Sequence, residues 1–219
     1  MIAALRPGPI DGERARREAQ WRTRTAPDRT DFIASVARVY AQEAARTAAL
    51  AAFDFGAKLE YSERGEAAGG YFMHPVRVAF LLAAFGGAEE HRDFVCALLH
   101  NVFETAPTSS GQVAAVADDG IVAKIRALTI DRSRQSDPEY LEAYYVGIVR
   151  ADAGAIKVVD KMDNLFLLHV APDRDVRRRY IAEIRRHVVP LCAHALPAAT
   201  GYLSDLIVDV ESREMATDA

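Results

Sequence analysis

The chain has 219 residues, of which 50% are hydrophobic, and this is enough apolar material for the core of one large domain. The 27 Lys and Arg residues against 31 Asp and Glu residues give a net charge of −4. This near balance argues against a dedicated nucleic-acid binder, because such proteins usually carry a basic surface. No apolar run approaches the roughly 18–20 residues of a membrane span, so we expect no membrane partner.

The cysteines and the N-terminus favour a soluble, cytoplasmic protein. Cys96 and Cys192 lie in apolar surroundings far apart in the sequence and have no zinc-type spacing, so we expect two buried free thiols. The N-terminal residues 1–10 are interrupted by prolines and lack the apolar core of a signal peptide.

The first predicted elements follow an arginine-rich start. Residues 1–29 are poor in aliphatic side chains, and we expect a tail or a short helix that Trp21 packs against the fold. Asp31 is a candidate N-cap, and apolar residues at helical spacing predict a long helix over 34–53.

A polar loop containing several glycines, 62–70, separates this helix from the next. Pro75 suits the first turn of a new helix, which we expect to end at the glycines 86 and 87. Further helices are predicted over residues 89–104, from a cap at Ser109 or Ser110 through Asp118, and over 121–128, 139–151, 155–170, 175–195 and 198–210.

The most apolar segment, 155–170, decides the fold class. Its valines and isoleucine could indicate a strand, but its length and the polar stripe of Asp160, Asp163 and Asn164 favour a buried helix. With no repeat and no hairpin signature, the sequence predicts an all-α fold in one domain over 30–210, followed by a frayed C-terminus over 211–219.

Three polar pieces at the edges of apolar helices predict a shared site. An apolar run delivers His100, Asn101 and Glu104 together, and on a helix His100 and Glu104 lie on one face. Elsewhere, His74 precedes a proline and Asp160 interrupts an apolar helix. Imidazoles with a carboxylate suit Mn, Fe, Zn or Ni rather than Ca. Taken singly, a histidine before a proline such as His74 is more often a structural histidine, and Asp160 could pair with a neighbouring lysine.

The order and spacing of three motifs resemble a known family. Residues 71–79 match Tyr-x-x-His-Pro-x-x-Val-Ala, and 97–105 stand in the place of Leu-His-Asp-x-x-Glu-Asp. Residues 156–165 match Ile-Lys-x-Ala-Asp-Arg-x-x-Asn-x. Over 45–195 this layout resembles the HD-domain metal-dependent phosphohydrolases, and more narrowly the hydrolase domain of Rel/SpoT-type guanosine tetraphosphate hydrolases and their small single-domain relatives.

The resemblance implies a single HD-domain helical bundle with a divalent metal ion, Mn first and Fe, Zn or Ni as alternatives. By this resemblance the metal ligands are His74, His100, Asn101 and Asp160, and Glu104 is the catalytic glutamate. Asn101 stands where the family has aspartate, so the ligand set carries one formal negative charge instead of two.

The resemblance also implies further residues of the site. Thr105 takes the place of the second carboxylate of the catalytic pair. Asn164 matches a position that contacts the sugar of the nucleotide, and Lys161 matches one near its phosphates. Thr129 matches the threonine of the family's Val-Thr-Lys stretch.

Additional positive charge for phosphates would come from Arg77 and Lys58, although a solvent-exposed helix face explains Arg77 equally well. The loop 64–70 lacks the Arg-Lys-Ser-Gly run that holds guanine in that family, and Arg64 is its stand-in.

The predicted function is metal-dependent hydrolysis of a small phosphorylated nucleotide, of guanosine tetraphosphate type or similar. Two alternatives stay open: a catalytically degenerate ligand-binding or protein-interaction module, suggested by Asn101 and Thr105, and other chemistry on the HD scaffold. A homo-oligomer is compatible with the sequence.

Overall fold

The structure, a computed structural model, describes residues 7–61 and 68–216, and in these ranges it is helical without a strand. The predicted all-α class is therefore confirmed. The helices are α1 (Ile10–Thr23), α2 (Arg29–Val39), α3 (Glu43–Gly56), α4 (Ala68–Tyr71), α5 (Met73–Ala84), α6 (His91–Leu99), α7 (Val102–Thr105), α8 (Asp119–Leu128), α9 (Pro138–Arg150), α10 (Gly154–Leu165), α11 (Arg174–Glu183), α12 (Val189–Ala195) and α13 (Thr200–Ala216).

The centre of the bundle consists of α5, α6 and α10. These three helices pack on one another, with α3 and α8 against α6 and with α12 and α13 against α10. Their contact surfaces are apolar, and the largest fully buried side chains include Leu82, Phe94, Leu98, Ile156 and Met162. The three central helices bring His74, His100 and Asp160 to the same region, so the core packing fixes the relative positions of these residues.

The helix predicted over 34–53 is wrong in its bounds, because the chain breaks after Val39. The N-cap is Asp28, whose carboxylate accepts the backbone N–H of Asp31 at 2.9 Å. Tyr40 is extended and buried, and its hydroxyl donates to the Ala88 carbonyl at 2.9 Å. The buried Tyr40 side chain thus holds the segment between α2 and α3 against the core.

The helix predicted over 89–104 is also wrong in its bounds, and this break lies at the site itself. The helix α6 ends at Leu99, and Asn101, with φ −118° and ψ 13°, separates it from the short α7. The following residues form a 3-10 helix, Pro107–Ala115, in place of the helix predicted through Asp118.

The C-terminal predictions need smaller corrections. The helix α10 ends at Leu165, short of the predicted residue 170, and a 3-10 turn Leu168–Val170 follows it. A π-helical segment, Ile184–Val188, joins α11 to α12 within the predicted 175–195. The last helix extends to Ala216.

The N-terminal helix α1 is attached in an unexpected way. Trp21 is 52% exposed, so the prediction that it anchors this segment is wrong. The buried residues of α1 are instead the charged Glu13, Arg14 and Arg17. Arg14 and Arg17 form ion pairs with Asp209 of α13 and Asp163 of α10, and Glu13 pairs with Arg17 within α1, since a buried charge needs an opposite charge beside it.

Candidate metal centre

Two histidines and one carboxylate converge between α5, α6 and α10. His74 lies in the first turn of α5, His100 follows the last residue of α6, and Asp160 lies within α10. One potential ligand atom of each lies within 4.8 Å of the others. The Asp160 Oδ1 atom is 3.3 Å from Nε2 of His74 and 3.6 Å from Nε2 of His100. The predicted meeting of these three residues is thus present in the fold.

The far nitrogen of each imidazole is held by a hydrogen-bond acceptor. Nδ1 of His74 lies 2.8 Å from Oδ2 of Asp163, and Nδ1 of His100 lies 2.8 Å from the Ala97 carbonyl. A carbonyl and an ionised carboxylate only accept, so Nδ1 carries the hydrogen in both rings. Nε2 of each ring therefore faces Oδ1 of Asp160 and is the nitrogen left to coordinate a metal ion, which is the usual arrangement of metal-binding histidines.

Asp160 is ionised despite its burial. Burial alone would raise its pKa, but the charge of Lys157 and hydrogen bonds from His100 and His74 hold the pKa well below its usual range. Its Oδ2 accepts from Nζ of Lys157 at 3.0 Å, and its Oδ1 accepts from the Asn164 amide at 2.9 Å. The predicted pairing of Asp160 with a neighbouring lysine is therefore real, and it coexists with the approach of both histidines.

Asp163 is a site residue whose role the sequence did not reveal. Its carboxylate, 1% exposed, accepts from His74, from Arg77 and from Arg17 of α1. Burial would raise the pKa of Asp163, but the charges of Arg77 and Arg17 hold it well below its usual range. The anion therefore persists at neutral pH and accepts the Nδ1 hydrogen of His74.

The donor set fits a divalent transition metal. Two imidazole nitrogens and one carboxylate oxygen form a mixed N/O site, and both imidazoles already turn Nε2 to the shared point. The cluster opens into a cleft of about 460 Å³, which Tyr180 also lines.

Asn101 and Glu104 line the same cleft, but the helix break changes their relation to His100. Asn101 is buried, and its amide Nδ2 donates to the Tyr71 hydroxyl. Glu104 lies on α7, where its carboxylate accepts the Ile130 N–H at 3.0 Å. It also lies 3.4 Å from the guanidinium of Arg132. The predicted shared helix face of His100 and Glu104 is wrong, yet both side chains reach one cleft.

Several predicted residues lie elsewhere or have other partners. Thr105 is fully buried, its hydroxyl donates to the Asn101 carbonyl at 2.9 Å, and it is not among the residues that line the cleft. The amino group of Lys161 is buried against Glu183 at 2.8 Å. Burial, and next the charge of Lys157, lower the pKa of Lys161.

The other predicted substrate residues also differ in whether they line the cleft. Asn164 lines the cleft beside Asp160. Arg77 is turned to Asp163 and is not on a free helix face. Thr129 donates to the Ile125 carbonyl at 2.8 Å, and neither it nor Lys58 is among the side chains that line the cleft. Arg64 lies outside the described residues.

Comparison with known proteins supports the fold. No protein-family model and no curated protein matches the chain. A solved structure, that of a metazoan ortholog of SpoT that hydrolyzes ppGpp, is similar with a TM-score of 0.60 at 20% sequence identity. The match covers 74% of this chain and 94% of that one.

The chain therefore shares the fold of that structure, and it carries a His–His–Asp cluster at its centre. Among the helices of the described ranges, none is both long and apolar enough to cross a membrane.

Proposed function

We propose that the chain is a metal-dependent phosphohydrolase that acts on a small phosphorylated nucleotide, of guanosine tetraphosphate type or similar. The observation that carries this proposal is the direction of two imidazole Nε2 atoms toward one Oδ1 of Asp160 at the base of a cleft. The hydrolysis of ppGpp by the structurally similar SpoT ortholog supports the same reaction class.

His74, His100 and Asp160 would hold the metal ion, with the amide oxygen of Asn101 as a further ligand. We expect Mn²⁺, with Fe, Zn or Ni as alternatives. When bound, such an ion lowers the pKa of a water molecule and neutralises charge on phosphate oxygens.

Glu104 is the residue best placed to handle the proton of the attacking water. Its carboxylate lines the cleft and is fixed by the Ile130 N–H and the Arg132 guanidinium. A carboxylate held in this way can accept a proton and orient the water toward phosphorus. Arg132 would then contribute positive charge to the phosphates, and Asn164 would contact the sugar.

The test is hydrolysis of a nucleotide panel by the purified protein with Mn²⁺. Release of phosphate or pyrophosphate is expected, and Glu104→Gln should lower kcat by about 10²–10⁴-fold because it removes the proton acceptor. Glu211→Gln is the matched control, since Glu211 is also paired with an arginine but lies away from the cleft. If no nucleotide is hydrolysed with any of the metals, the proposed phosphohydrolase function is excluded.

A second function, a non-catalytic binding module, is favoured by one observation. Asn101 has an amide where the related enzymes have a carboxylate, and that amide donates to Tyr71. This alternative predicts that protein purified without chelator contains little metal and gains none on addition of Mn²⁺. Stoichiometric metal in elemental analysis by mass spectrometry would exclude it.

A further inference from the structure

The helix α1 reaches the proposed metal centre through one buried arginine. Arg17 is 3% exposed, and its Nε donates to Oδ1 of Asp163 at 2.7 Å. The other oxygen of Asp163 accepts from Nδ1 of His74 at 2.8 Å. Two consecutive hydrogen bonds therefore connect an N-terminal helix to an imidazole whose opposite nitrogen faces Asp160.

Arg17 is itself held in a fixed geometry. Its Nη1 donates to the Glu13 carboxylate at 2.6 Å and to the Glu13 carbonyl at 3.1 Å. Its guanidinium carbon lies 4.1 Å from the centroid of the Phe166 ring, a cation–π contact. Because these contacts fix the planar guanidinium, its Nε–H group points to Asp163.

Attachment of α1 alone does not require this contact. Arg14, buried on the same helix, already pairs with Asp209 of α13. Nor does Asp163 need Arg17 for charge balance, because Arg77 alone supplies one positive charge through Nε and Nη2. The specific consequence of Arg17 is that Oδ1 of Asp163 accepts from two arginines, which orients Oδ2 toward His74.

We infer that Arg17 is a positioning residue for His74, acting through Asp163, and that α1 is part of the metal centre. The inference rests on the proposed function, because it takes His74 as a metal ligand. Without Arg17, Asp163 keeps Arg77 but its carboxylate is less constrained, and the His74 ring samples more orientations. Orienting partners of this kind commonly change metal affinity about 10–100-fold.

The first test is metal affinity, measured by competition of Mn²⁺ between the full chain and a chelating dye. Arg17→Met keeps the apolar stem over Phe166 but removes the hydrogen bonds, and it should weaken binding by about 3–10-fold because Arg77 remains. Arg14→Met is the matched control on the same helix, and it should leave the affinity unchanged. Equal losses in both variants would reduce Arg17 to an attachment residue and overturn the inference.

The second test needs no metal and no turnover. Nitrogen-15 spectra of the imidazole rings in the metal-free protein should show Nδ1 of His74 as a hydrogen-bonded N–H. In Arg17→Met a shift or exchange broadening of this Nδ1 signal is expected, and in Arg14→Met the wild-type pattern. His74 signals in Arg17→Met identical to wild type would overturn the inference. A wild-type protein that hydrolyses no nucleotide would refute the proposed function alone, because the His74 spectrum still tests the positioning.

Discussion

Asp160 shows how one buried carboxylate serves two purposes. Its Oδ2 faces Lys157, which offsets the cost of burying the charge, while its Oδ1 is turned to the two histidines. The side-chain amide of Asn164, one helical turn later, also donates to Oδ1 and limits its rotation. The ligand atom is thus oriented by α10 alone, before any ion binds.

The amide of Asn101 is the neutral group of the proposed ligand set, so its replacement tests that proposal most directly. Asn101→Asp replaces a neutral oxygen with a charged one, and the Tyr71 hydroxyl can reverse its role and donate to the new carboxylate. We expect at least about tenfold tighter Mn²⁺ binding, since hard cations prefer carboxylate oxygen. The measurement is calorimetric titration, with Asn101→Ala as the comparison. An affinity that is the same in all three proteins would show that residue 101 is not a ligand.

At the scale of single residues, the sequence predicted which three side chains converge better than it predicted their hydrogen-bond partners. His74, His100 and Asp160 stand out because polar groups at the edges of apolar helices are costly without a role. Asp163 lies in the same polar stripe, but its arginine partners come from positions 17 and 77, and no local pattern connects them. The burial of Lys161 and Thr105 follows from tertiary packing, so the sequence could not predict which groups their side chains contact.

At the scale of elements, the docking of α1 on the other helices depends on carboxylates that must remain ionised. Burial would raise the pKa values of Glu13, Asp163 and Asp209, but arginine partners lower all three below their usual range. A carboxyl with a lowered folded pKa stabilises the fold above its unfolded pKa, and this stability is lost as the pH falls through the folded value.

We therefore expect α1 to stay docked at neutral pH and to detach as the pH falls below about 4. Trp21 is the single tryptophan of the chain and lies on α1, so a red shift of its emission should report the detachment. Amide exchange should rise in residues 10–23 at the same pH. Loss of protection in α10 at a higher pH than in α1 would contradict this order.

The contact between α4 and the end of α1 provides a second test at this scale. A Cβ added at Gly70 would lie 2.8 Å from the backbone carbon of Arg24, and backbone atoms cannot move aside easily. Gly70→Ala should therefore destabilise the protein by about 1–3 kcal/mol in urea unfolding.

The matched control for this substitution is Gly147→Ala in α9, where nothing lies within 4 Å of the added Cβ. Alanine in a helix interior should stabilise by about 0.5–1 kcal/mol there. If both variants behave alike, the close approach of α4 to α1 does not contribute to stability.

Helix existence was predictable from the sequence, and helix breaks were not. Apolar spacing gave α5, α8 and α9 near their observed bounds, because their buried faces are continuous. The break between α6 and α7 has no glycine or proline at residues 100 and 101. It depends on tertiary contacts such as the one between Asn101 and Tyr71.

At the scale of the molecule, the site lies where the three central helices meet. Metal binding there would link α5, α6 and α10, the elements that also form the middle of the hydrophobic core. Because the unfolded chain scatters these ligands over 86 positions (160 − 74 = 86), it cannot offer the same site. Metal binding should therefore stabilise the whole fold.

We expect Mn²⁺ at about 100 times its Kd to add about 2.7 kcal/mol to the free energy of unfolding. For a chain of this length, that corresponds to a rise in Tm of roughly 5–10 °C, measured by differential scanning calorimetry against a chelator-treated sample. Asp160→Asn keeps the shape of the side chain but removes its charge, so its Tm should not respond to Mn²⁺. An equal rise in wild type and in Asp160→Asn would locate the ion outside the His–His–Asp cluster, and the metal centre would have to be sought elsewhere in the fold.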